Sequence, residues 1–389
     1  MKKLSILILT LVVAISLTVA ISSDPAMAAK KKYEKWAADA RHEAWKDKKW
    51  TTSDKKIRWR MSDTWGGLVN HDVAVHFCDS VRAASGGRLD ITPMTTGSVV
   101  GAFELFDAVS KGVLDCGQSW PGYWKGKNEA FTCYASVPFS MDYETYSIWY
   151  WMGEGKVLMD DLYGRYNLKG LFLGNAGQEL GLYSNKPRSK FEDFKGIKVR
   201  TVGWFMDILN RMGVNATAIP GPEVYLALER GIVDAAEFSS PTITYAMGFH
   251  EVVKYVIEPG VHQPGAQMDL FINLDKWKAL PDDLRAIVEI CAAETDAWCY
   301  QYMEYNNIEA IKRLKAEGVT FIKMDEETRI EFAKTTHAYM EELKQKFPDV
   351  KKTVDSQENF IKSHAEWKEL RGGVSIWPYE DYIKGKHFQ

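Results

Sequence analysis

Apolar positions along this chain follow two rhythms, a strand-like alternation and a helix-like stripe, and their order sets the architecture. Ile57-Arg-Trp-Arg-Met61 alternates as a strand, residues 73–84 carry the stripe of an amphipathic helix stopped by Gly86-Gly87, and residues 89–94 alternate again. A second helix over 103–111 stops at Gly112, and the apolar pair Val113-Leu114 reads as a strand ending at Asp115. Strand, helix, strand, helix, strand in this order predicts a largely parallel sheet with helices on its faces.

The unit returns downstream. A strand over 197–201, a helix over 204–212, a strand over 215–219, a helix over 223–230 and a strand at Ile232-Val233 repeat the order. Phe106-Asp-Ala-Val-Ser-Lys-Gly-Val-Leu-Asp115 aligns with Tyr225-Leu-Ala-Leu-Glu-Arg-Gly-Ile-Val-Asp234, with Ala, Gly and Asp identical. Glycine after a helix is common by itself, so the repeat rests on the whole register. Two similar α/β lobes place a ligand in the crevice beyond the carboxyl ends of their strands. A helical pattern from Pro281 to Lys315 is long enough, at about 50 Å, to brace both lobes. The tail is helical from Glu327 to Gln345, breaks at Pro348, and is rich in aromatics between Trp367 and Phe388, which suits either packing or a dimer contact.

The two ends and the composition narrow the setting. Met1-Lys-Lys, an apolar run to Ile21 and Pro25-Ala-Met-Ala-Ala29 have the three regions of a secretory signal, with cleavage after Ala28 or Ala29. A formal net charge of −3 argues against a nucleic-acid partner bound through a general basic field. Five cysteines without CxxC spacing form neither a disulfide framework nor a zinc signature. Cys291 and Cys299, eight helical residues apart, stand about 12 Å apart along the axis, too far to bridge. Buried thiols are expected.

Enzymatic constellations are scarce: GxSxG, Walker, HExxH and GxGxxG signatures are missing, and the eight histidines lack metal-ligand spacing. Polar residues at the ends of predicted strands carry more information. Arg200 closes Gly196-Ile-Lys-Val-Arg, where a guanidinium can fork onto a carboxylate. Glu237 and Phe238 follow the strand around Asp234-Ala-Ala. Asn175 and Glu179 share one face of an extended segment, with Gln178 on the other. Asp269 stands alone in the apolar run Gln267-Met-Asp-Leu-Phe-Ile-Asn273. Several acids converging on one cleft repel one another unless a cation lies between them.

Five segments then resemble the extracytoplasmic solute receptors of TRAP transporters, the DctP family, and among them the branch that binds 2-oxo acids and lactate. They are Phe103 to Gly112, Tyr123-Trp-Lys-Gly-Lys127, Gln178 to Pro187, Phe194-Lys-Gly-Ile-Lys-Val-Arg200 and Glu223 to Phe238. The resemblance implies a two-lobed periplasmic binding protein fold with a ligand cleft between the lobes and a long bracing helix. It divides the chain into a signal peptide (1–28), lobe 1 (54–174 with about 266–300), lobe 2 (175–265 with about 301–326) and a C-terminal helical extension (327–389).

By the same resemblance Arg200 is the carboxylate clamp. Glu179, Glu237 and the Phe238 carbonyl, with Asp269 as an addition, hold a metal that bridges protein and ligand. The branch often has Gln where this chain has Glu179. The extra charge favours calcium over the alternative, sodium. Tyr123, Asn175, Trp65, Trp204 and Gln178 complete the expected ligand-binding set, and the bulk of Trp204 restricts the ligand to a small monocarboxylate such as pyruvate or lactate. The implied partners are TRAP membrane permease subunits and a second copy of the chain, paired through the C-terminal helices. The competing reading, a secreted metal-dependent lyase or hydrolase acting on a small organic acid, lacks a nucleophile.

Overall fold

The structure, a computed structural model, describes residues 50–66 and 69–371; the signal peptide and the aromatic positions beyond Arg371 lie outside the described residues. Its strands are β1 (Ile57–Asp63), β2 (Leu89–Met94), β3 (Cys116–Ser119), β4 (Leu168–Asn175), β5 (Leu182–Ser184), β6 (Lys198–Arg200), β7 (Asn215–Thr217), β8 (Ala235–Ala236), β9 (Tyr255–Glu258), β10 (Gln267–Asn273) and β11 (Thr320–Lys323). They form two sheets, ordered β2-β1-β3-β10-β4 and β11-β9-β5-β8-β6-β7. Parallel β2-β1-β3 in one is matched by parallel β7-β6-β8 in the other, which is the repeat seen in the sequence.

The sheets are mixed rather than largely parallel. β10 runs antiparallel to β3 and β4, and β5 antiparallel to β8 and β9. Both strands enter their sheets after the chain has crossed from the other one, between β4 and β5 and again between β9 and β10. A returning strand arrives from the opposite direction.

The repeat extends to individual hydrogen bonds, and these correct two predicted strands. Val113 and Ile232 are 47% and 54% exposed and belong to turns, while the strands begin three residues later at Cys116 and Ala235. In each copy the helix ends on a left-handed glycine, Gly112 (φ 76°) or Gly231 (φ 65°), a conformation that a side chain resists. The next amide then donates back to the helix, Val113 N to Ala108 O and Ile232 N to Ala227 O. The aspartate that follows clamps the neighbouring strand on both sides of one residue. Asp115 donates its amide to Arg60 O and accepts Arg60 N at its carboxylate (2.7 Å); Asp234 does the same with Lys198 (2.9 Å). The identical Gly and Asp are thus a turn and a strand clamp, and the apolar pair between them fills the turn.

The bracing helix spans Asp282–Ala316, starting after Pro281 as its pattern predicts. It touches both halves. Trp298 stacks on His76 at 3.9 Å and Asp283 pairs with Arg88 at 2.6 Å on one side, while Asn307 accepts from Thr242 N at 2.9 Å on the other. Cys291 and Cys299 lie on this helix, and all five cysteines of the chain are free and buried. No described helix is long and apolar enough to cross a membrane. Helices Glu326–Lys346 and Pro348–Arg371 fold back on their own chain. The first pairs Glu342 with Arg211 and Tyr339 with Asp207; the second bonds Ser356 to Trp149 and Gln357 to the Cys133 carbonyl.

If the Asp clamps hold each β-α-β turn to its sheet, Asp115→Ala and Asp234→Ala each lower stability by about 1–2 kcal/mol. Because the turns share no partners, the double variant loses close to the sum. Urea unfolding midpoints check this, and an unchanged midpoint in either single variant contradicts the clamp.

Candidate functional site

The carboxyl ends of β1, β3, β4, β6 and β8 converge on a cavity of about 30 Å3. Trp65, Asn70, Trp120, Tyr123, Ala176, Glu179, Ala266 and Met268 line it from the first sheet and from the segments that cross between the sheets; Arg200, Val202, Glu237, Phe238, Ser239 and Gln263 complete it. Asp63 at the end of β1 accepts the amides of Trp65 (2.7 Å) and Gly66 (2.8 Å), which fixes the turn presenting Trp65. Contacts across the cleft hold it shut. Lys125 pairs with Asp207, and Trp204 donates to Glu129 at 2.8 Å.

Arg200, 1% exposed, is placed by its strand register and then by its own donors. Nε donates to Ile219 O (3.0 Å), Nη1 donates to Glu237 O (2.6 Å) and lies 3.6 Å from Glu237 Oε2, and the Phe238 ring sits 5.2 Å from the guanidinium carbon. Nη2 is buried without a protein acceptor. An unpaired donor on a buried cation is costly, so this atom points to a ligand oxygen. Tyr123, raised above the usual phenol range by burial, lies close enough for the Arg200 charge to oppose that rise.

Glu237 is tied by Thr201 Oγ1 to Oε2 (2.6 Å) and by Gln263 Nε2 to Oε1 (3.1 Å). Glu179 accepts from or shares a proton with His262 Nε2 at 3.0 Å, and that nitrogen is 3.8 Å from Glu237 Oε1. Burial raises the Glu179 carboxyl, the His262 hydrogen bond opposes the rise, and the nearby Glu237 charge adds to it. Ligand atoms of Glu179, Glu237 and His262 all lie within 4.8 Å of one another, and all three residues are buried. Gln263 Oε1, on the same wall, has no hydrogen-bond partner. Two carboxylates and an unpaired amide oxygen make an oxygen-rich set that suits a hard cation.

The structure brings together Trp65, Tyr123, Glu179, Arg200, Glu237 and Phe238 and separates four other expected residues. Gln178 is exposed, lines an outer groove and is not among the residues of the cavity, whereas its neighbour Glu179 is buried and reaches both. Asn175 is spent internally, donating to Gln267 Oε1 (2.9 Å) and accepting Gly177 N (2.8 Å). Trp204 lines a smaller void beside the cavity. Asp269 lies away from the cluster: strand alternation turns Met268 toward the cavity and Asp269 toward Tyr163, whose hydroxyl donates to it at 2.6 Å. Trp120, His262 and Gln263 were missed. The run His262-Gln-Pro-Gly carries no spacing signal, and only the fold sets it beside Glu179, through Glu179 N to Gln263 O at 3.1 Å.

Comparison with known proteins places the chain among solute-binding proteins. The profile of the bacterial extracellular solute-binding proteins of family 7, DctP, matches residues 67–346. A monocarboxylate 2-oxoacid-binding periplasmic protein from Nostoc is 28% identical over 333 residues, 85% of this chain and 89% of the relative. The solved structure of a TRAP periplasmic solute-binding protein from Pseudoalteromonas atlantica, with bound sodium and pyruvate, superposes with a TM-score of 0.78 at 28% identity, covering 81% of this chain and 97% of that one. Its counterpart from Colwellia psychrerythraea, with bound calcium and pyruvate, gives the same TM-score, identity and coverage.

Asp269 carries a test of its placement. Burial pushes its carboxyl from an ordinary 3.8 up to about 8 against the opposing Tyr163 hydrogen bond. The folded chain therefore keeps a proton that the unfolded chain releases, and the associated stability, complete below the unfolded value, is lost as pH rises to about 8. Urea midpoints of the wild type should fall relative to Asp269→Asn across that window. Parallel profiles would place Asp269 in solvent or beside a fixed positive charge.

Proposed function

The chain belongs to the DctP family of bacterial extracellular solute-binding proteins, and we propose that it binds a small 2-oxo or 2-hydroxy monocarboxylate between its lobes and delivers it, unchanged, to a TRAP permease at the periplasmic face of the membrane. The observation that carries this reading is the buried, unpaired Nη2 of Arg200 on the lining of a cavity of about 30 Å3. One ligand carboxylate oxygen satisfies it, with the Tyr123 hydroxyl beside it and Trp65 and Phe238 as walls. The 2-oxo acid class follows from the Nostoc relative and from the pyruvate held by two structural neighbours.

A metal ion is part of this reading, held by Glu179, Glu237 and the Phe238 carbonyl, with His262 fixing the second oxygen of Glu179. Two buried carboxylates outnumber the single guanidinium, so an incoming anion meets net repulsion that a divalent ion reverses. The neighbours contain calcium in one case and sodium in another; two carboxylates here favour calcium. The exposed Ile330, Trp367 and Leu370 are the described large apolar side chains on which a pairing through the C-terminal helices would rest.

Arg200→Lys should weaken pyruvate binding by about tenfold or more, since an ammonium cannot keep the Ile219 and Glu237 carbonyl contacts and also present a donor to the ligand. Calorimetry on the folded variant measures it, and unchanged affinity contradicts the clamp. Metal dependence is tested by titrating pyruvate into chelator-treated protein with and without calcium. The expected result is strong binding only with calcium, and a weakened divalent requirement in Glu179→Gln. Equal affinity in both titrations, with elemental analysis finding no residual metal, removes the ion from the site.

A further inference from the structure

The Trp120 indole stands in the wall that the ligand cavity shares with a second void. The cavity of about 30 Å3 and a smaller one of about 10 Å3 share Trp120, Val202, Glu237 and Gln263, and the smaller continues to Trp204 and Phe205. Since one water needs roughly 10–15 Å3 of such space, the first takes two or three small groups and the second one at most.

The chain is shaped around this indole. A Cβ at Gly122 would fall 1.9 Å from the Trp120 ring and one at Gly203 2.6 Å from it, so both glycines are required by close approach, and Gly203 also holds a left-handed φ of 64°. Tyr123 packs edge-on against the ring at 5.5 Å. Buried tryptophans ordinarily give their N–H a partner, yet Nε1 of Trp120 has none.

We propose that Trp120, rather than Trp204, sets the upper length of the acid this protein accepts, confining it to three-carbon ligands. This rests on the reading of the cavity as a 2-oxo acid site. With the carboxylate at Arg200, the ligand's far end is stopped by the indole. Removing the indole opens the shared wall and lets a longer tail pass Val202 toward Trp204 and Phe205, in a void that Ser136, Glu237, His262 and Gln263 also line. Trp204 is the back wall of that path and acts only once the indole is gone.

The test is a chain-length series, pyruvate, 2-oxobutanoate, 2-oxopentanoate and 2-oxohexanoate, titrated with calcium present into wild type, Trp120→Phe and Trp120→Ala. Wild type should lose affinity by about tenfold or more between pyruvate and the longest acid, as expected for methylenes that do not fit. Both variants should shift the ratio of longest acid to pyruvate toward the longer acid, Trp120→Ala by about tenfold or more. Wild type binding the longest acid as tightly as pyruvate overturns the proposal even if neither variant folds, and so does a folded variant with the wild-type ratio. Wild type binding none of the series removes the 2-oxo acid reading itself, a distinct outcome.

Discussion

The structure is organised around the burial of charge between two lobes. Arg200, Glu179 and Glu237 are each almost wholly withdrawn from water, a placement costing several kcal/mol per ion unless partners replace the lost solvation. Arg200 and Glu237 partly compensate each other, and the backbone carbonyls of Ile219 and Glu237 take two of the guanidinium donors. What remains uncompensated is specific: one guanidinium nitrogen, the amide oxygens of Gln263 and Asn70, the Trp120 indole N–H, and a carboxylate, Glu179, held by a histidine. The site's chemistry is the inventory of those unfinished bonds. A ligand that brings an anionic oxygen together with a cation completes them, and an apolar ligand leaves them as they were.

The placement of these groups ties binding to motion. Glu179 lies on the first segment that crosses between the sheets, and His262 and Gln263 on the second. The two crossings run side by side, joined by Ala176 N to Ala266 O, Ala266 N to Gly177 O and Glu179 N to Gln263 O. Arg200 and Glu237 belong instead to strand ends of the second sheet. Any ion or ligand gripping Glu179 and Glu237 together therefore links the crossing segments to one lobe. Lys125–Asp207 and Trp204–Glu129 span the mouth. Asp207 also accepts from Tyr339, so the C-terminal extension shares a residue with the closing contact. Domain closure around a ligand needs differential contacts of this kind.

Much was legible in the sequence because it rests on local rules. The repeat of Ala, Gly and Asp encodes a turn whose hydrogen bonds recur in both lobes, and Pro281 followed by Asp-Asp marks the start of the long helix. Arg200 at the end of a strand faces the cleft because strand ends in such sheets do. Even the misplaced strands at Val113 and Ile232 repeat in both copies, since apolar residues inside a turn look like strand to a pattern of hydrophobicity.

Period-two alternation could say that Gln178 and Glu179 face opposite ways, and that Asp269 and Met268 do, but the direction of the cleft comes from how two sheets meet. Burial of Glu179 and exposure of Gln178 are decided there. The same holds for His262 and Gln263, whose partners Glu179 and Glu237 lie 83 and 26 residues away, and for Trp120, distinguished from Trp204 only by which indole reaches the cavity. The sequence determined the elements, their order and the charged ends of the strands, because backbone propensity and turn chemistry act over a few residues. Tertiary structure alone decided which side chains share a buried space, because that depends on distances across the fold that no local spacing records.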